Sequence, residues 1–283
     1  MSLYIRPATI DEAVRALARY PATVLSGGTD FFPALGDRPA TVPVVDISGV
    51  RELRGISVER DWIRIGGRTT WTDIVRSSLP RGFDGLKAAA REVGSMQIQN
   101  AGTVAGNLCN ASPAADGVPP LLALDAEVTL ASAEGARTLP LSEFILGNRR
   151  TARRADELLT RVSIPRRLEN GASSFVKLGA RRYLVISIAM VAVLLVPDEA
   201  DCVAVARVAV GSCSARAQRL GTLENDLIGA QMRPGIGAIV AAEHLAALSP
   251  IDDVRGTAEY RRDAARVLVQ RGLEMCVGGL RNE

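Results

Sequence analysis

Residues 99–116 read Gln99-Asn100-Ala101-Gly102-Thr103-Val104-Ala105-Gly106-Asn107-Leu108-Cys109-Asn110-Ala111-Ser112-Pro113-Ala114-Ala115-Asp116. No other stretch so narrows what the chain can become. Small residues alternate with amides and hydroxyls, a pattern from which neither a helix nor a strand gains much. Glycine and short side chains let a second backbone or a ligand approach closely. Asn, Ser and Thr supply donors and acceptors at short reach. Successive backbone N–H groups in such turns form anion-binding concavities. The run therefore reads as a loop that cradles a phosphate-bearing ligand, closed by Asp116. A tight turn between two packed elements is the plain alternative.

Leu25-Ser26-Gly27-Gly28-Thr29-Asp30 has the same character and follows the β-prone Thr23-Val24. Two such loops can meet on one pyrophosphate. Neither is a Walker loop, since no Gly-Lys-Ser/Thr follows. Neither is G-x-G-x-x-G, so a Rossmann nicotinamide site has no support.

The 283 residues can hold two or three domains. Aromatics make up 4% of the chain, so Ala, Val and Leu must do the packing. The net charge of +3 is small and arginine is spread along the chain, which argues against a nucleic-acid footprint. The cations are 32 Arg and only two Lys, Lys87 and Lys177, so a retained lysine is slightly informative. Cys109, Cys202, Cys213 and Cys276 include no C-x-x-C pair, which leaves buried free thiols rather than a metal or iron–sulfur ligand set. The N-terminus has no signal-peptide pattern, and Met1-Ser2-Leu3 reads as an expression scar. The longest apolar run, Leu184 to Val196, is too short to span a bilayer and reads as a buried strand of a soluble, cytoplasmic protein.

Thr9-Ile10-Asp11-Glu12 is a capping box, and Ile10, Ala13, Val14 and Leu17 then follow at helical spacing up to Pro21. With strands at Thr23-Val24 and Val42 to Ile47, residues 1–55 form a small α/β unit. A second unit, 56–168, takes a strand at Trp62 to Gly67 and a helix opened by Thr70-Trp71-Thr72-Asp73. It continues with a helix over Gly85 to Val93 and a short helix from Pro119-Pro120. A hairpin around Glu134-Gly135 joins Glu127–Ser132 to Arg137–Leu139, and a strand over Leu158 to Ile164 ends the unit. In the third unit, 169–283, Ser174–Leu178, Leu184–Val196 and Val203–Val210 suggest a three-stranded antiparallel sheet. Helices over Gln218–Ile228, Ile236–Ala247 and Ala258–Met275 follow. The last puts Tyr260, Ala264, Val267, Leu268 and Met275 on one side. The fold class is α+β.

The two small-residue runs also carry a family resemblance. Ser26-Gly27-Gly28-Thr29-Asp30 resembles the first flavin loop of the FAD-binding medium subunit of molybdenum hydroxylases, the xanthine dehydrogenase and carbon monoxide dehydrogenase family. Thr103-Val104-Ala105-Gly106-Asn107, followed by Ser112 to Asp116, resembles the second. The family usually has two glycines before the Asn, and here Ala105 takes the first place. Phe175 to Tyr183 resembles the family's Lys-x-x-x-Arg segment. Val208 to Ser212 and Leu248 to Arg262 resemble its C-terminal signature. The matches span nearly the whole chain in order.

The resemblance implies a FAD-binding module of the p-cresol methylhydroxylase or vanillyl-alcohol oxidase type, in two α/β subdomains, plus a C-terminal domain. It implies non-covalent FAD. By the same carry-over, Ser26, Gly27, Gly28, Thr29 and Asp30 serve the pyrophosphate from one side, and Thr103, Val104, Ala105, Gly106, Asn107 and Ser112 from the other. Asp116 accepts from the ribose or adjoining flavin chain, and the Leu159 backbone meets the isoalloxazine edge. Lys177 sits near the flavin's N1/O2 edge, or else is a surface lysine. Tyr183 lies against the ring, or else is a core tyrosine. No residue of this chain is assigned a catalytic or metal role. Asp252, Asp253 and Arg255 read as a helix start, and His244 as a core or surface residue. The chemistry implied is electron transfer, from [2Fe-2S] clusters of a small subunit to an external acceptor. A large subunit carries the molybdenum-pterin, and the heterotrimer is doubled. The alternative is a stand-alone FAD-binding reductase or nucleotide-binding protein without molybdenum partners.

Overall fold

The computed structural model describes residues 3–278, so Met1 and Ser2 of the scar reading and residues 279–283 of the third unit lie outside the described residues. The first sheet is parallel, with Val44–Asp46 between Tyr4–Ile5 and Thr23–Leu25. Helix Ile10–Arg19 connects the two outer strands and buries Ala13, Val14, Ala16 and Leu17. Thr9 caps it by accepting from the Glu12 amide at 3.2 Å. The Glu12 carboxylate reaches one residue further back than a capping box requires, to the Ala8 amide at 2.8 Å.

The second sheet is antiparallel, in the order Ile56–Val58, Trp62–Gly66, Leu158–Pro165, Glu127–Ser132, Gly135–Pro140. Ile63, Ile65, Val128, Leu130, Val162 and Ile164 share one core with Trp71, Phe83, Leu86, Leu108 and Leu121 from the intervening helices. Trp71–Arg76 has a complete capping box, because Thr70 and Asp73 satisfy each other's amides.

The third sheet has four antiparallel strands rather than three: Ala172–Leu178, Ala189–Pro197, Val203–Gly211 and Gln218–Arg219. Ala189–Pro197 is buried on both faces, which is why it reads as continuous apolar sequence. Met190, Ala192 and Leu194 join the core of the second sheet. Val191, Val193 and Leu195 face the core shared with helix Ala258–Gly278.

Several expected elements are corrected. The run at 99–116 is not a loop throughout: Met96–Ala101 and Val104–Asn110 are helices, broken at Gly102-Thr103. Thr103 Oγ1 accepts the Gly106 amide at 3.1 Å, and burial of Val104, Ala105 and Leu108 offsets the weak propensity of the run. The strand expected from Leu184 starts at Ala189, since Leu184 has φ 52 and leaves the ladder. Gln218–Arg219 is a strand, and the helix after it is Gly221–Leu227. The helix expected over 236–247 is two 3-10 turns, Ile236–Ile239 and Ala242–Leu245. There the Glu274 carboxylate takes the Gly235 and Gly237 amides, and His244 Nδ1 takes the Ala241 amide. The long helix buries Arg261, Ala265, Leu268, Val269, Gly272, Leu273 and Cys276, so Tyr260, Val267 and Met275 of the expected stripe are exposed.

Among the described residues, no helix is long and apolar enough to cross a membrane.

Candidate functional site

Strand Thr23–Leu25 runs straight into the first small-residue turn, where Gly28 adopts φ +72. That conformation is costly for any side chain. Gly27 backs onto the second run: a Cβ there would lie 2.0 Å from the Ala101 carbonyl oxygen. The second run is anchored in turn to the start of helix Trp71–Arg76. The Val104 amide donates to Thr69 O at 2.9 Å and the Trp71 amide to Gly102 O at 3.2 Å. The two runs thus form the facing walls of one cleft of about 670 Å³.

Ser26, Gly27, Gly28, Thr29 and Asp30 line this cleft, as do Thr103, Ala105, Gly106, Asn107 and Leu159. Within the described chain, the backbone amides of Gly27, Gly28 and Thr29 donate no hydrogen bond. Ser26 Oγ and Asn107 Oδ1 are buried without a partner. Such atoms carry a desolvation cost unless something else meets them. The Gly106 amide, by contrast, is spent on Thr103 Oγ1.

The structure does not bring the other expected residues into the cleft lining. Val104 is fully buried in the core. Ser112 Oγ accepts the Ala114 amide at 3.2 Å and closes a turn. Asp116 and Lys177 are buried and paired at 2.7 Å, so Lys177 is no surface lysine, and Ser187 Oγ donates to the other Asp116 oxygen at 2.8 Å. Burial pushes the Asp116 carboxyl above its ordinary pKa, and the Lys177 ammonium and the Ser187 hydroxyl pull against that. Tyr183 is 60% exposed and lies under the Arg182 guanidinium, so it is not a core tyrosine. His244 is buried, with its ring between the Ala241 amide and the Asp226 carboxylate. Asp252 accepts the Ala258 amide at 2.6 Å, and Asp253 pairs with Arg255 and Arg261, the pattern of a helix start.

Sequence reasoning missed part of the lining. Val24 and Ile47 lie at or just past the C-terminal ends of parallel strands, where ligands of open α/β sheets bind, and that rule could have found them. Val93 and Ile98 carry no local signal. Arg149 and Arg153 belong to the doublets Arg149-Arg150 and Arg153-Arg154, a local clustering hidden by the arginine-rich composition. Arg149 donates to Asn110, and Asn110 donates to Asp30 at 3.0 Å, so a polar chain ties the two runs at the rim. Glu157 is held by Arg137 at 2.6 and 2.9 Å and by the Arg154 amide, and the Arg137 bonds lead in lowering its pKa.

Residues 1–167 match the family model described as "FAD binding domain in molybdopterin dehydrogenase". Residues 174–276 match "CO dehydrogenase flavoprotein C-terminal domain". The chain is 31% identical over 272 residues to the nicotine 6-hydroxylase medium subunit of Paenarthrobacter nicotinovorans, across 95% of this chain and 94% of that one. It is 40% identical over 193 residues to the nicotinate dehydrogenase FAD-subunit of Eubacterium barkeri, a match spanning 65% of each. Among solved structures, carbon monoxide dehydrogenase from Hydrogenophaga pseudoflava superposes with a TM-score of 0.90 at 26% identity, over 98% of this chain and 97% of that one.

Proposed function

This chain belongs to the FAD-binding medium subunits of carbon monoxide dehydrogenase and related molybdenum hydroxylases, and from that premise we propose that it is the electron-transfer subunit of such an assembly. Its cleft fits FAD. The volume lies within the range of cofactor pockets, about 300–1,000 Å³. Three unspent amides, at Gly27, Gly28 and Thr29, suit the oxygens of a pyrophosphate. Ser26 and Asn107 add small polar side chains to the same walls.

In this reading Ser26 to Asp30, with Thr103, Ala105, Gly106 and Asn107, would hold the diphosphate and its flanking ribose and ribityl chain, and Leu159 would present its backbone to the flavin edge. Ser112 shapes the turn that leads to Asp116. Lys177 would act from behind the cleft wall, held there by Asp116. Tyr183 stands on a loop free to meet the ring. Bound FAD would supply the redox chemistry that links [2Fe-2S] clusters of a small subunit to an external acceptor. The molybdenum-pterin belongs to a large subunit, in a doubled heterotrimer that we place in the cytoplasm. The units at 1–55, 56–168 and 169–283 divide the labour: the first two line the cleft, and the third packs beside them.

The observation that carries the reading is three consecutive free amides, at Gly27, Gly28 and Thr29, facing the second small-residue run across one cleft. It is tested by titrating the purified chain with FAD and with riboflavin, which lacks the diphosphate, and following flavin fluorescence. FAD should bind and be released intact by acid, while riboflavin should bind at least tenfold more weakly. Equal affinity for the two, or flavin retained covalently after acid, overturns the assignment.

A further inference from the structure

We propose that Asp116 is a positioning residue, a clasp from the flavin-binding region that holds both feet of the 179–187 loop and sets the charge that Lys177 presents to the cleft. The inference rests on reading the cleft as an FAD site. Strand Ala172–Leu178 leads into this loop and strand Ala189–Pro197 leads out of it. The Ile188 amide donates to Leu178 O at 2.8 Å and closes the neck. One foot carries Lys177 and the other Ser187. Lys177 Nζ donates to one Asp116 oxygen at 2.7 Å and Ser187 Oγ to the other at 2.8 Å. All three residues are shut away from water: the Lys177 and Asp116 side chains are 7% and 10% exposed, and Ser187 is 2% exposed.

The loop beyond the clasp is held mostly by itself. Arg181 donates to Leu184 O, and Arg182 to the Tyr183 hydroxyl at 2.9 Å. Leu184 takes φ 52, an uncommon conformation for a bulky residue. Tyr183, Leu184 and Ile186 are each more than half exposed, apolar surface standing free in this chain. The clasp abuts the cleft wall, because Lys177 Nζ also donates to Glu92 O at 3.4 Å and the next residue, Val93, lines the cleft. Asp116 therefore does two things at once. It fixes where the loop leaves the sheet, and it cancels most of the Lys177 charge in a place where little water screens it.

Two readouts separate these effects from mere stability. Trypsin reports the loop in the full-length chain without flavin, since Arg181 and Arg182 lie within it. Asp116→Asn should speed cleavage there at least tenfold, and Asp116→Glu should restore part of the protection. Asp125→Asn, which removes a different carboxylate between the same two regions, should leave cleavage at these sites unchanged. In the FAD-loaded chain, Asp116→Asn leaves the ammonium uncompensated, so the flavin potential should rise. Lys177→Met should lower it. Asp116→Asn/Lys177→Met removes both buried charges together, so it can fold where a single variant does not. It should keep the fast cleavage with a potential near the parent's. Parent-like cleavage in both Asn variants, with FAD still bound, overturns the clasp and leaves the FAD reading standing. Fast cleavage in a chain that binds no FAD upholds the clasp and overturns the FAD reading.

Discussion

Gly27→Ala tests the geometry on which the site depends. The added methyl would sit 2.0 Å from the Ala101 carbonyl oxygen and 2.7 Å from its carbon, where ordinary contact begins near 3.4 Å. Both obstacles are backbone, so no rotamer change relieves them. The facing walls must part by more than an ångström. Overpacking of this kind costs about 1–3 kcal/mol. At about 2–4 °C per kcal/mol for chains approaching this length, the melting temperature should fall by several degrees. The larger effect falls on the cofactor. A hydrogen bond to a charged group is worth about 1.5–3 kcal/mol, so losing the alignment of one amide weakens FAD binding about ten- to a hundredfold.

The assay is thermal unfolding of parent and variant, each alone and with FAD at a hundred times the parent's Kd. Ligand binding at that concentration stabilises the parent by about 2.7 kcal/mol. A variant that binds a hundredfold more weakly gains only about 0.4 kcal/mol under the same conditions. Gly28→Ala should behave similarly for a different reason, since its φ of +72 strains any side chain and the Phe32 ring lies 2.6 Å from the new methyl. A Gly27→Ala chain with the parent's melting temperature and the parent's response to FAD would refute the back-to-back placement of the two runs.

Ser26→Ala should have effects of opposite sign with and without flavin. Removing a buried hydroxyl that has no partner leaves the flavin-free chain as stable or more stable by up to about 1 kcal/mol, while FAD binding weakens several-fold. A loss of stability in the flavin-free chain would show that the hydroxyl already has a structural partner. Asp253 is held down to about 2 from 3.8, first by the Arg255 amide and then by Arg261 and Arg255. Its contribution is present above the unfolded value and lost as pH falls through about 2. Asp253→Asn should therefore melt below the parent at pH 7, with the gap closing toward pH 2, and a gap independent of pH would contradict the pairing. Burial pushes Cys109 and Cys213 up to about 11 and Cys276 up to about 12. Maleimide labelling of the native chain at pH 7, read by peptide mass spectrometry, should mark Cys202 first, and prompt labelling of Cys213 or Cys276 would contradict the packing.

Where a signal was local, the sequence carried it. The Thr9 and Thr70 caps, the hairpin at Glu134-Gly135 and the strand ending in Pro165 depend on neighbours within a few residues. The misses involve partners far along the chain. The helix expected over 236–247 fails because Glu274 captures its first amides from another element. The face of helix Ala258–Gly278 was misread because its buried stripe begins with a charged residue. Arg261 is 3% exposed, bound to Ile188 O at 2.6 Å and to Asp253 at 2.6 Å, and from there Ala265, Leu268, Val269, Gly272 and Leu273 follow at helical spacing. Starting from Tyr260 instead keeps Leu268 but turns Val267 and Met275 to the solvent side.

The candidate site divides along the same line. Its phosphate walls were legible because glycine and hydroxyl residues are needed at consecutive positions, and consecutive positions are what a sequence displays. Its charges were not. Lys177 and Asp116 are separated by 61 positions, and each alone looks like a residue that meets a ligand directly. In the fold they meet each other. The same region holds a second such carboxylate: Asp125, just beyond helix Val118–Ala123, takes Arg207 at 3.1 Å and Arg219 at 2.6 Å from the third sheet. That helix packs Pro119, Pro120, Leu121 and Leu122 inward, against strands Ala189–Pro197 and Val203–Gly211. An apolar helix flanked by one carboxylate on each side is a way to join two cores in a fixed orientation. The apolar face supplies the burial, and the ion pairs of the two carboxylates resist sliding, because displacement would leave partly buried charges unpaired. A fixed orientation is what a cleft with one wall in each of two small-residue runs needs if the strand pair beside it is to carry a charge to a defined place.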